Sequence, residues 1–235
     1  MRFLFVTILL KVTMSLQLLH IDASARPGSY SRQMSQAFVD RFVSLLPDTT
    51  VIRTDLNAAP PPFVDENFLA NAFLPEAQQD SKALAASNQY TRDFLSADVV
   101  VVGMPMYNWG VPAIVKAWID QIVRSGLTFS MSANGIEGLA QPDKEVFSLV
   151  SRNGGFLPGE PFANANFQDG HFAGIMGFLG VKQTRLEALQ DIFNPATLEQ
   201  NLATALGNAR KLAEETAARH KKGSRAGSDL WNRAA

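Results

Sequence analysis

Four consecutive valines, Val99 to Val102, lie within residues 98–104 (DVVVVGM) and constrain the fold of this chain more than any other feature. A strand with one wet face alternates apolar and polar residues, whereas a strand that is apolar at every position needs cover on both faces. The β-branched side chain also suits the pleated strand better than the helix. The run therefore predicts a parallel sheet buried between two layers of helices.

The rest of the chain agrees with that prediction. Short apolar runs at residues 16–21, 50–56, 145–151 and 184–189 read as four more strands. Between them, residues 31–46, 81–96, 112–123, 172–179 and 195–220 carry helical patterns, with Ser81 as an expected N-cap and Pro112 in a first turn. Residues 57 to about 80 form a polar insertion that includes Pro60, Pro61 and Pro62. Strand and helix alternate five times, which is the signature of an α/β domain. One domain is expected over residues 15–219.

Composition narrows the function classes. At 235 residues, with 46% of them hydrophobic, the chain can bury a sizeable core. No run of eighteen or more apolar residues is present, so no membrane span is expected. Zero cysteines exclude disulfides, thiolate metal sites and cysteine nucleophiles, and fit a cytoplasmic protein. A formal charge of −1 gives no reason to expect nucleic acid as a partner. The two ends differ from the rest. Arg2 and the short apolar run at residues 3–10 have the layout of a secretory signal. No small-x-small cleavage site follows, however, and Lys11 interrupts the run, so we read residues 1–14 as an extension from an upstream start, with Met14 opening the domain. Residues 220–235 hold Lys221, Lys222, Arg225 and Arg233 against Asp229 alone and show no periodicity, which reads as a disordered basic tail.

Ligands of open parallel sheets sit beyond the carboxyl ends of the strands, so the loops after strands one, three and four hold the candidate site. The first is small and hydroxyl-rich, with Ser24, Ser29, Tyr30 and Ser31 running into a helix. Its N-terminal amides and serine hydroxyls suit a phosphate, although a simple helix cap explains one serine as well. Neither a P-loop nor G-x-G-x-x-G is present. The second loop, Met106-Tyr107-Asn108-Trp109, combines apolar walls with one amide, as a flat heteroaromatic ring requires; a helix-entry cluster packing on the core is the alternative. The third, Ser151-Arg152-Asn153-Gly154-Gly155, lets main-chain amides approach a ligand closely, although a tight turn alone explains its paired glycines as well.

Together these three segments resemble the FMN-dependent NAD(P)H azoreductases and quinone reductases of bacteria, and the resemblance spans roughly residues 16–213. It implies a flavodoxin-like three-layer α/β/α sandwich with a five-stranded parallel sheet in the order 2-1-3-4-5. It also implies one tightly bound FMN per subunit, NADH or NADPH as electron donor, and a homodimer that reduces quinones and azo compounds by ping-pong hydride transfer. Carried over by position, Ser24, Ser29, Tyr30 and Ser31 would hold the phosphate. Met106, Tyr107, Asn108 and Trp109 would line the ring, and Ser151, Arg152, Asn153 and Gly154 would contact its pyrimidine side. The stretch from Gly126 to Phe129 and from Asn134 to Gly138 also resembles the family, which makes Phe129 a candidate for substrate stacking; an ordinary core Phe is the alternative. Asn153 stands where the family often has glycine, and would serve if that position needs φ > 0. Phe63, Phe68 and Phe73 of the insertion could supply a dimer contact, but burial within one chain explains them as well.

No side-chain acid or base is required by such chemistry, and none is assigned. A hydrolase lacks support, since G-x-S-x-G is absent and His20, His171 and His220 are poorly placed for a triad. No metal motif is present either. The alternatives that remain are a flavin or metal reductase of the same fold, a non-enzymatic flavodoxin-like electron carrier, and a cofactor-free binding module.

Overall fold

A computed structural model describes residues 15–74, 78–133 and 135–232, without the side chains of 222–232. The N-terminal extension expected over residues 1–14, and Asn134, lie outside the described residues. The valine run forms the centre of the sheet, as strand β3 (Val99–Pro105), in which every residue is buried. On one side β3 pairs with β1 (Gln17–Asp22), which pairs in turn with β2 (Thr50–Asp55). On the other side lie β6 (Glu145–Ser151) and then β7 (Gln183–Leu189). All of these pairings are parallel, and the spatial order is β2-β1-β3-β6-β7. Counting only the strands of this sheet, that is the expected 2-1-3-4-5.

The four valines divide between two cores, as strand alternation requires. Val99 and Val101 face α1 (Tyr30–Leu45) and α6 (Leu198–Asn232), packing with Phe38, Phe42 and Phe147. Val100 and Val102 face α3 (Ala85–Ser96), α4 (Ala113–Ile122) and α5 (Phe167–Phe178), among Phe94, Trp118 and Phe172. Ala205, Ala209, Ala213 and Ala217 recur every four residues along α6 and are all buried, so small side chains bring this helix close to its neighbours. At the amino ends of the strands Glu145 ties α6 to the sheet. Arg219 Nη2 and Nε donate to its two oxygens at 2.6 and 3.2 Å, and His220 Nε2 lies at 3.6 Å. Burial works against the Glu145 charge, but the hydrogen bonds and charge offered by Arg219 and His220 outweigh it and lower the carboxyl pKa to about 2.

Several elements depart from expectation. Ser81 caps no helix: residues 81–84 turn first, and α3 starts after Leu84, which is buried against Phe68 and Ala72 of the short helix α2 (Glu66–Ala72). Burial of Leu84 and Phe68 anchors the insertion, and Phe63 and Phe73 remain exposed. A hairpin of β4 (Phe129–Ser132) and β5 (Gly135–Gly138) stands before β6; its largely exposed strands carry no alternation to read. Helix α5 begins five residues earlier than expected, capped by Asn166, whose Oδ1 accepts from the Asp169 amide at 3.2 Å. Gly170, Gly174 and Gly177 dilute its helical signal. The segment expected as a disordered tail continues α6 as far as Asn232, since propagating a formed helix is far easier than nucleating one. No described helix is long and apolar enough to cross a membrane.

Candidate functional site

The loops after β1, β3 and β6 converge at the carboxyl edge of the sheet and enclose one cleft of about 370 Å³. Ser29 is the N-cap of α1, its Oγ accepting from the Arg32 amide at 3.2 Å and lying 3.2 Å from Ser31 Oγ. The capping explanation and the hydroxyl cluster thus describe the same residue. Ser24, Ser29 and Ser31 are all buried. In the first turn of α1 the amides of Tyr30 and Ser31 have no intrahelical acceptor, as at any helix start.

After β3 the chain reverses within four residues. Tyr107 and Gly110 exchange both main-chain hydrogen bonds, at 3.3 and 3.1 Å, around Asn108 and Trp109. Both central residues have positive φ, 47° and 68°, the conformation of a type I′ turn. Asn is well suited to it; Trp is not, because its Cβ is strained where glycine usually sits. The turn holds a large ring half in solvent at the cleft, and strained backbone of this kind concentrates at functional sites. The turn is tied down on both sides. The Met106 amide donates to Ser151 O at 2.9 Å, and the Phe167 amide to Trp109 O at 3.0 Å.

In the third loop the glycine requirement falls on Gly154, at φ 105°, and not on Asn153. Asn153 Oδ1 instead accepts from the Phe193 amide at 3.1 Å, joining this loop to the one after β7. Arg152 is fully buried. Its Nη1 donates to both oxygens of Asp169 at 3.0 and 3.1 Å, and its Nε to Gln190 Oε1 at 3.1 Å. Its Nη2 is buried with no protein acceptor.

The cleft is lined by Ser24, Ser29, Met106, Tyr107, Asn108, Trp109, Ser151, Arg152 and Asn153, all singled out in the sequence. Four other candidates do not line it. Tyr30 lies under the Arg26 guanidinium, 6.0 Å from its ring centre, and Ser31 sits behind Ser29. Gly154 turns the loop from behind, facing Phe156 and Phe162. Phe129 is buried on Phe178, with ring centres 5.0 Å apart. Sequence reasoning missed Arg26, Phe156, Ile192 and Phe193, which also line the cleft. The last two follow β7; the signal available was that a fifth parallel strand must deliver its loop to the same edge. His171 lines a neighbouring open groove that shares Tyr107 and Asn108 with the cleft.

The charge of the cleft lining is one-sided. Arg26 and Arg152 are its charged residues, and no carboxylate is among them. A buried guanidinium nitrogen without a partner, buried serines at a helix start and an exposed aromatic shelf together fit an anionic, phosphorylated, planar ligand such as FMN.

A family model of the flavodoxin-like fold matches residues 17–213. The chain belongs to this flavodoxin-like family. Among curated relatives, the FMN-dependent NADH:quinone oxidoreductase of a Nostoc species is 41% identical to it over 168 residues, spanning 70% of this chain and 81% of that protein. FMN-dependent NADH:quinone oxidoreductase 2 of Bradyrhizobium diazoefficiens is 38% identical over 200 residues, spanning 84% and 98%. Among solved structures, an azoreductase from Bacillus anthracis matches this flavodoxin-like chain with a TM-score of 0.78 and 28% identity, covering 85% of this chain and 99% of that one. The resemblance read from the three loops is borne out.

Proposed function

We propose that this flavodoxin-like protein is an FMN-dependent NADH:quinone oxidoreductase that also reduces azo compounds. The observation that carries the proposal is the cleft where the loops after β1, β3 and β6 meet, lined by Arg26 and by the unpartnered Nη2 of Arg152 and shelved by Tyr107 and Trp109. Bound FMN supplies the two-electron hydride chemistry between donor and acceptor. The chain's own residues bind and orient. Ser24, Ser29 and the first amides of α1 hold the phosphate, with Ser31 steadying Ser29. Met106, Tyr107, Asn108 and Trp109 hold the ring by apolar contact and one amide edge. The main-chain amide of Asn153, a residue of the cleft lining, has no acceptor within the described protein and would favour negative charge on the part of the ring beside it. No carboxylate lines the cleft to oppose that charge.

Donor and acceptor would use the same open face in turn, in a ping-pong cycle. Tyr107, Trp109, Phe162, Phe167 and Phe193 leave apolar surface exposed around the mouth. Surface of that kind is the reason to propose a homodimer that covers the site. A cysteine-free chain using NADH fits the cytoplasm.

The test is a purified protein with a flavin spectrum that consumes NADH steadily with benzoquinone and gives parallel double-reciprocal lines. Colourless protein that FMN cannot reconstitute refutes the proposal, and a flavoprotein without steady turnover would be a carrier instead. At the site itself, Gly154→Leu places a side chain at φ 105° with its Cβ 3.1 Å from the Phe162 ring, so flavin occupancy should fall. Unchanged occupancy would remove the third loop from the site.

A further inference from the structure

Arg32, in the first turn of α1, lies on the far side of the serine loop from the cleft and does not line it. Its Nη1 and Nη2 donate to the two oxygens of Asp55 at 2.8 and 2.9 Å, a bidentate pair. The same guanidinium donates twice to the main-chain oxygen of Ser24, from Nη2 at 2.7 Å and from Nε at 3.2 Å. Asp55 is itself fixed at the end of β2, accepting from the Asn57 amide at 3.0 Å. Asp22 Oδ2 lies 3.5 Å from Arg32 Nη1, and Asp22 Oδ1 accepts from Ser35 Oγ at 2.9 Å. The hydrogen bond to Asp55 raises the Arg32 pKa and in turn lowers that of Asp55, so both stay ionised.

One guanidinium facing two carboxylates offers no free positive charge to a ligand. Its effect on the cleft is directional. A carbonyl oxygen turned toward a phosphate would repel it, whereas an N–H would attract it. Arg32 takes up the Ser24 carbonyl on the side away from the cleft. Because the peptide is trans, the N–H of Ala25 then points the opposite way. We propose that the Arg32–Asp55 pair is a positioning device for the phosphate end of the flavin site, orienting the Ser24–Ala25 peptide so that the serine loop presents donors rather than an acceptor. The inference rests on the proposed FMN site, and it assigns these two residues to recognition of the phosphate alone.

Comparing two flavins tests it, because riboflavin has the ring of FMN without the phosphate. Apoprotein is titrated with each by flavin fluorescence for the wild type, Arg32→Lys and Asp55→Asn, with inorganic phosphate as competitor. The wild type should prefer FMN. Lysine cannot reproduce the planar fork, so Arg32→Lys should lose about tenfold or more in FMN affinity, the scale of a charge-assisted hydrogen bond. Asp55→Asn should lose a similar factor, while riboflavin affinity stays within about twofold in both variants. Both side chains are partly exposed, and Asp55→Asn, nearly isosteric, carries the test if the lysine variant folds poorly. A parallel fall for both flavins would mean general loosening and would overturn the inference, as would no change at all. If the wild type binds FMN no better than riboflavin, the proposed phosphate site itself falls, and the positioning role falls with it.

Discussion

Gly103 is where the sheet and the phosphate end of the proposed site press on one another. It lies in β3, and a Cβ added there would stand 2.6 Å from Ser35 Oγ, 2.8 Å from Ser31 O and 2.9 Å from Ser35 Cβ. A carbon–oxygen contact settles at about 3.3 Å, so Gly103→Ala must lift the first turn of α1 by about 0.5 Å or disrupt it. Ser31 O is backbone and cannot rotate aside, and Ser35 Oγ is already held by Asp22 and the Arg32 carbonyl. Overpacking of this size costs about 1–3 kcal/mol. In a domain of this length a 2 kcal/mol loss lowers Tm by roughly 4–8 °C. A shift of ~0.5 Å is also the limit a preorganised site tolerates, so FMN affinity should fall about tenfold with riboflavin little changed. Thermal melts of apoprotein and flavin titrations read the two effects separately. Gly207→Ala is the control, since nothing lies within 4 Å of its added Cβ; it sits in exposed α6 and should gain about 0.5–1 kcal/mol. A Gly103→Ala protein with wild-type Tm and wild-type FMN affinity would show that α1 does not depend on this contact.

Two further outcomes are expected. Trp109→Gly relieves a strained positive φ at a half-exposed residue, so the apoprotein should gain up to ~1 kcal/mol by denaturant melt while flavin affinity falls; a loss of apoprotein stability would contradict the strain. Glu145 has a folded pKa depressed to about 2 from an ordinary 4.5, so its stabilisation is present above 4.5 and is lost as pH falls through about 2. Glu145→Gln should therefore flatten the acid side of the stability curve, and identical slopes in both proteins would refute the role given to Arg219 and His220.

Much of the chemistry was legible before the fold. The serine loop, the Met-Tyr-Asn-Trp segment and the Gly-Gly turn are local compositions, each tied to a need of a phosphorylated ring. Other features had no such signature. Nothing in Asp-Ile-Phe after the fifth strand marks it as cleft wall until the strand places it at the same edge. Phe129 reads equally as substrate shelf or core, and only packing on Phe178 buries it.

Periodicity acts over a few residues, so the sequence alone determined what is periodic: a sheet centred on valines that must be covered on both faces, and the helices that cover it. It also determined which turns end in serine, aromatic or glycine. The tertiary structure alone decided which residues meet across long separations: Arg32 on the Ser24 carbonyl rather than in the cleft, Gly103 beneath α1, and Trp109 held at positive φ by the hydrogen bonds of its turn. The physical reason is that side-chain pattern sets which face of an element is buried. Where a loop tip lands depends on how several elements pack at once.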